Sequence, residues 1–196
     1  VREQFETFDD AGRPTGLVAR DRVHALGLWH RSAHVFLFDP DGRLYIQQRS
    51  ASKDLVPGRW DLSVGEHVQP GESYHAAALR GLREERGVTD VVLTALGEPR
   101  RYRWEDPECG IADRELQQAF SGCHAGPVVP DGTEVAAVRV VHPCELGRWI
   151  AAAPDTFTPW FLDELRERRE LGRFWLPAML PDDLPVNSHP HGPGIA

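Results

Sequence analysis

The sequence predicts an α+β domain, and three observations carry the prediction. Short apolar runs bounded by turn residues recur between residues 4 and 141, a capped helical segment stands among them at Ser73–Gly87, and two proline-opened helical segments begin at Pro143 and Pro159. With 196 residues, 41% of them hydrophobic and 27% charged, the chain suits one domain with a sizeable core. That domain is expected over residues 1–176, led by a hairpin and lead-in over 1–31.

The elements follow in order. Gln4 to Arg20 reads as a hairpin turned by Asp9-Asp10-Ala11-Gly12-Arg13-Pro14. The next segment, Asp21 to His34, carries His24, His30 and His34. Ala33 to Phe38 (AHVFLF) is apolar enough for a buried strand; Asp39-Pro40-Asp41-Gly42 turns it and RLYIQQR returns, which predicts a second hairpin central to a sheet. Ser50 to Trp60 reads as a loop. Pro70-Gly71 forces a turn, Ser73 can cap the first free N–H groups and Gly87 supplies the stop, leaving a helix of about 13 residues. Strands are then expected at Asp90–Leu96, at the basic and aromatic Arg100–Trp104, at Leu116–Gly122 and at Glu134–Val141. One helix is expected from Pro143 through Ala153 and another from Pro159 through Glu170, filling 143–171. The Pro-rich, aperiodic tail over 177–196 is expected to be mobile or laid on the surface.

A net charge of −8 argues against a broad nucleic-acid or membrane surface, so an anionic substrate needs a metal or a local basic patch. Cys109, Cys123 and Cys144 are odd in number and lack metal-ligand spacing, and VREQFETFDD has no apolar signal segment; both point to a reducing cytoplasm.

The predicted helix over 74–86 carries the chemistry. Gly81, Glu84 and Glu85 project on one side, Leu79 and Leu82 point elsewhere as anchors, and Ala76, Ala77 and Ala78 keep the helix thin one turn above. Paired carboxylates beside a cleared wall are what a hard divalent cation needs, and the cation in turn attracts phosphate oxygens. Taken alone, Glu84-Glu85 also fits a solvated acidic helix face. Lys53 and Arg59, close in sequence, either meet substrate phosphates or balance that acidic charge.

The stretch GEHVQPGESYHAAALRGLREERGV, residues 65–88, resembles the Nudix box: Gly, five residues, Glu, seven residues, then Arg-Glu-aliphatic-x-Glu-Glu-x-Gly-aliphatic. Glu72, Arg80, Leu82, Glu84, Glu85, Gly87 and Val88 fall in place; Glu66 stands where the box has its Gly, and Gly81 where it has the first Glu of Arg-Glu. The resemblance implies the Nudix α/β/α sandwich, with a mixed sheet and a loop–helix–loop motif. It also implies a metal-dependent hydrolase cleaving a diphosphate linkage in a small organic diphosphate of nucleoside or isoprenoid type. Glu85 is then the first ligand for Mg²⁺ or Mn²⁺ and Glu84 the second, with a carboxylate orienting the attacking water. Glu66, Glu115 and Glu134 are candidates to replace the carboxylate missing at Gly81. Arg80 is a candidate for orienting Glu84 or for touching substrate, and Glu72 for a structural role or an outer metal ligand.

The frame FDDAGRPTG…VHALGLWHRSAHVFLFDPDGRLYIQQRSASKDLVPGRWDLSVGEHV, with RYRWEDPECGIADRE and FTPWF, is similar to the branch holding type 1 isopentenyl-diphosphate isomerases and their hydrolase relatives. That similarity implies a second metal site at His24, His30, His67, Asp113 and Glu115, although the His24–His30 interval is one residue shorter than in the isomerases. Imidazoles with carboxylates suit Mn, Zn or Fe. The plainer alternative is that His24 and His30 pack or cap and that Asp113-Arg114-Glu115 is a solvated charge run. Tyr102, Glu115 and Trp160 match catalytic or cation-stabilising positions of the isomerases, but their proton-carrying Cys is Gly65 here. Tyr102, Trp104 and Trp160 suit a base or a prenyl group equally well. Three readings follow: a hydrolase, an isomerase-like enzyme, and a non-catalytic ligand-binding module. In each the partner is a small-molecule diphosphate, with no nucleic acid or membrane, and the protein is a monomer or homodimer.

Overall fold

The computed structural model describes residues 3–53, 55–106, 110–130 and 132–170. Strands β1 (Gln4–Phe8) and β2 (Pro14–Ala19) pair antiparallel around a turn in which the Asp9 carboxylate accepts from the backbone N–H groups of Ala11 and Arg13, both at 2.9 Å. A short helix, α1 (Arg20–Leu26), ends at Gly27, whose φ of 58° is the left-handed value that favours glycine. Strands β3 (Trp29–Phe38) and β4 (Leu44–Arg49) flank a second turn built the same way on Asp39. Then come β5 (Trp60–Asp61), β6 (Val64–His67), α2 (Tyr74–Arg86), β7 (Thr94–Ala95), β8 (Arg100–Asp106), β9 (Ile111–Cys123), β10 (Val135–Val141), α3 (Pro143–Ala152) and α4 (Pro159–Glu170).

The strands form one mixed sheet centred on β3, which runs parallel to β9 from Trp29↔Arg114 to Phe38↔Cys123 and antiparallel to β6 from Ser32↔His67 to Val35↔Val64. Successive side chains on a strand face opposite ways. Ala33, Val35 and Leu37 therefore pack with Ala77, Ala78 and Leu82 of α2, while Phe36 packs with Leu146 and Ile150 of α3 and Phe161 and Leu165 of α4. Helices cover both faces, which is the α/β/α arrangement.

Three expectations change. The second hairpin is not a continuous pair: β3 and β4 meet only at Phe38↔Leu44, after which β4 pairs with β10 and β5. The splayed strands open a gap on one side of β3 that β6 fills. The strand expected at Asp90–Leu96 shrinks to Thr94–Ala95, because only those residues pair with β9, at Ser121 and Phe120, and Val92 is exposed. Helix α1 and the short strands β5 and β6 lie where no element was expected. The Pro-rich tail and Cys109 lie outside the described residues, and no described helix is long and apolar enough to cross a membrane.

Candidate active site

Helix α2 starts and stops where its sequence directs: Ser73 Oγ accepts from the Ala76 N–H at 3.1 Å, and Gly87 takes φ 67°. Leu82 is fully buried and Leu79 partly so. The alanines do not clear a wall: Ala77 and Ala78 are completely buried against the sheet, so their small size brings helix and strand together.

Gly81 reports how close that approach is. A Cβ on it would lie 2.6 Å from Val64 Cγ1, 3.1 Å from Glu66 Cβ and 3.3 Å from Glu66 Oε2. Val64 is fully buried and stiff at χ1, so it cannot yield. Helix propensity alone would make Gly81→Ala stabilising by about 1 kcal/mol, but overpacking costs about 1–3 kcal/mol. With the propensity gain set against it, the net cost of Gly81→Ala is up to about 2 kcal/mol, and Tm is expected to fall by up to about 8 °C in calorimetry.

Around Gly81 the charged side chains are tied to one another. Arg80 donates to Glu72 Oε1 at 3.0 Å and Oε2 at 2.9 Å, donates to the His67 carbonyl at 2.8 Å, and lies 3.1 Å from Glu66 Oε1. Glu84, the partner expected for Arg80, is 3.8 Å away and half exposed. Glu72, which also accepts from the Gln69 N–H at 2.9 Å, closes the loop in front of the helix. Glu85 is buried, with Arg86 Nη2 at 3.4 Å from its Oε2. Burial pushes the Glu85 carboxyl up to about 8 despite the pull of Arg86, and Glu66 adds to the push. Glu66 is itself pushed up to about 7 by burial, against the pull of Arg80. Two carboxyls held near neutrality are poised for a cation that would let both ionise. Glu134 ion-pairs with Lys53 at the start of β10.

On the other face of β6 stands a second cluster. His67 faces the side of the sheet opposite to Glu66, because the two are adjacent in the strand. Helix α1 brings His24, β3 brings His30, and β9 brings Asp113 and Glu115. His24 Nε2 lies 3.9 Å and His30 Nε2 3.7 Å from Asp113 Oδ1, and the Nε2 atoms of His30 and His67 each lie 3.7 Å from Glu115 Oε1. These residues are not a solvated charge run: Asp113 and Glu115 are buried, and His30 has no exposed surface. His30 Nε2 and Asp113 Oδ1 are buried without a hydrogen-bond partner, which costs free energy unless something binds there. Burial holds His30 below, and His67 well below, the ordinary imidazole value, keeping both in the neutral form that ligates metals. His30 Nδ1 sits 3.0 Å from the Leu28 carbonyl, which leaves Nε2 as the ligating atom. This donor set fits a Mn, Zn or Fe ion.

Both clusters open into a cavity of about 290 Å³. Its wall includes Lys53, Glu66, His67, Arg80, Glu84, Glu85, Asp113, Glu115, Glu134, Trp160 and His24. The structure does not bring Arg59 or Tyr102 to that wall. Arg59 donates to the Phe157 carbonyl at 3.3 Å, and Tyr102 is buried in the core beneath α4, with Arg100 5.6 Å above its ring. Sequence reasoning gave no role to three residues found there. His34, the cross-strand partner of Gly65, places Nδ1 3.3 Å from Glu164 and Nε2 4.0 Å from Glu115; alternation along β3 from His30 was the signal. Arg49 lies 5.0 Å above the Trp160 ring, and Asp61 accepts from the Trp160 indole at 2.9 Å and from Thr158 Oγ1 at 2.8 Å. Nothing in the local sequence marks either.

The description of the NUDIX domain matches residues 28–161, which include the box and every strand of the central sheet except the first hairpin. The chain belongs to the Nudix family. Among similar proteins, the isopentenyl-diphosphate Delta-isomerase of Streptomyces coelicolor is 38% identical over 166 residues, covering 84% of this chain and 83% of its own. An uncharacterised Nudix hydrolase of Pseudomonas aeruginosa is 33% identical over 157 residues, covering 79% of this chain and 89% of its own. The crystal structure of DR0079 from Deinococcus radiodurans superposes with a TM-score of 0.67 at 22% identity, over 84% of this chain and 98% of that one, and shares its fold. This Nudix chain departs from the box pattern at Glu66 and Gly81, and Glu66 occupies the space that a side chain at 81 would enter.

Proposed function

We propose that this Nudix protein is a metal-dependent hydrolase that cleaves a diphosphate linkage in a small organic diphosphate, of nucleoside or isoprenoid type. The observation that carries the reading is Glu85: a buried carboxylate on the box helix, lining a cavity whose wall also holds the cations Arg49 and Lys53. Mg²⁺ or Mn²⁺ held by Glu85 and Glu84 would supply Lewis-acid charge to the diphosphate oxygens. Arg86, 3.4 Å from the Glu85 carboxylate, favours its ionised form. Lys53, paired with Glu134, and Arg49, stacked on Trp160, offer positive charge to the non-bridging oxygens. Arg80 acts as a positioning residue, since its guanidinium is occupied by Glu72, Glu66 and the His67 carbonyl. The test is product release from prenyl, nucleoside and sugar diphosphates with Mg²⁺ or Mn²⁺, comparing wild type with Glu85→Gln. Tight binding without turnover would favour a non-catalytic module.

The isomerase-like reading is favoured by the histidine cluster together with 38% identity to an isomerase, and opposed by Gly65. Isomerisation needs an acid and a base on opposite sides of the five-carbon unit, and glycine can be neither. A Cβ at Gly65 would lie 3.9 Å from His34 Cδ2 and 4.0 Å from Leu62 Cδ1, ordinary contact distances, so the backbone there accepts a side chain without a Cβ clash. Wild type is expected to incorporate no deuterium into isopentenyl diphosphate in D₂O, and Gly65→Cys to fold with an unchanged Tm and gain measurable exchange. Exchange by wild type would replace the hydrolase reading.

A further inference from the structure

Gly81 and Glu66 are the two departures from the box, and a side chain at 81 would run into Glu66. The box normally has glycine on the strand side and glutamate on the helix side; here the strand carries the glutamate and the helix the glycine. The geometry leaves no alternative arrangement on this backbone, because any side chain at 81 would drive its Cβ to 2.6 Å from Val64 and into Glu66. A helix-borne carboxylate is therefore sterically excluded, and the space beside Gly81 is filled by the Glu66 carboxylate itself.

Three carboxylates compete for the vacated role. Glu115 faces the imidazoles of His30 and His67 on the opposite face of the sheet. Glu134, about half exposed, is engaged by Lys53. Of the three, Glu66 stands against the box helix, with Arg80 3.1 Å from its Oε1 and its Oε2 over Gly81, on the wall of the cavity it shares with Glu84 and Glu85. We infer that Glu66 supplies from strand β6 the carboxylate that the Nudix box elsewhere supplies from its helix, and that Gly81 is the glycine that makes room for it. Glu66 then completes the oxygen donor set for Mg²⁺ with Glu85 and Glu84, with Arg80 as its positioning residue. The inference rests on the hydrolase reading for its purpose but not for its test.

The test is the affinity of the full chain for MgCl₂, measured by titration calorimetry, in wild type, Glu66→Gln, Glu66→Asp and Glu134→Gln, with circular dichroism to verify folding. Mg²⁺ selects the oxygen site over the imidazole cluster. Glu66→Gln, nearly isosteric, is expected to weaken Mg²⁺ binding at least tenfold, and Glu66→Asp to fall between it and wild type. An affinity within twofold of wild type for Glu66→Gln, or a larger loss from Glu134→Gln, overturns the assignment. Turnover separates this outcome from the fate of the hydrolase reading. Loss of Mg²⁺ affinity without turnover on any diphosphate keeps Glu66 and removes hydrolysis; robust turnover with affinity indifferent to Glu66 does the reverse.

Discussion

Glu85→Gln is expected to lower metal-dependent turnover at least about a hundredfold, the several kcal/mol that a Lewis-acid cation contributes to a phosphoryl transition state. The same substitution is expected to raise the stability of the metal-free protein at alkaline pH. The Glu85 carboxyl is pushed from its ordinary value of 4.5 to about 8 by burial, with Arg86 pulling against this and Glu66 reinforcing it. Between those values the native state keeps a proton that the unfolded chain has released, so stability falls as pH rises through the window. Glutamine carries no such cost. The variant should match wild type near pH 4 and exceed it at pH 8 by about 2–4 kcal/mol, read as Tm in the presence of a chelator. Saturating Mg²⁺ should reverse the order, because only wild type gains from binding. The pairing of lost turnover with gained metal-free stability separates a metal ligand from a residue that merely holds the fold, which would lose both.

The parts of this molecule that were legible in sequence are those fixed by near neighbours. Ser73 and Gly87 bracket α2 because capping is settled within one turn. Asp9 and Asp39 specify their turns through bonds to residues two and four along. Helix α1 escaped because seven residues span too little to display a period, and its stability comes from packing on β1, β2 and β9. The opening of the β3–β4 hairpin depends on β6 and β9, which compete for the edges of β3. Spacing did not bring His24, His30, His67, Asp113 and Glu115 together; family resemblance named them, and α1, β3, β6 and β9 deliver them to one place. Tyr102 was a candidate through its match to the isomerases and Arg59 through its nearness to the box, yet the inward phase of β8 places Tyr102 in the core and the Phe157 carbonyl engages Arg59. Glu66 and Gly81 each read as an isolated departure; their proximity is a tertiary fact.

Arg86 carries the second large expected effect. It occupies a variable position of the box between Glu85 and Gly87, yet it is among the largest fully buried side chains described. Its guanidinium donates to the Ser63 carbonyl at 2.9 and 2.7 Å, to Gln47 Oε1 at 2.5 Å and to the Glu85 carbonyl at 3.2 Å. Ser63 Oγ in turn donates to the Tyr45 carbonyl at 2.5 Å and accepts from the Leu37 N–H at 2.8 Å. One arginine thus ties the C-terminal end of α2 to β3, β4 and the loop before β6, the elements that set the distance between Glu85 and Glu66. Arg86→Met keeps the apolar stem but orphans the Ser63 carbonyl and Gln47, and takes from Glu85 the cation that acts on it most strongly. Leaving those two buried acceptors unsatisfied costs about 1–3 kcal/mol each, and a fall in Tm of about 4–24 °C is expected. Glu85 should also hold its proton more tightly, so that Mg²⁺ binding weakens and shifts to higher pH. The double variant Glu85→Gln/Arg86→Met removes the ionisable carboxyl that Arg86 faced and is expected to recover part of the stability lost at and above pH 8. A coupling of at least about 1 kcal/mol in that cycle would assign the cost to the Glu85–Arg86 pair. Strict additivity would assign it to the loop hydrogen bonds alone, leaving Arg86 with no part in setting the charge of the metal ligand beside it.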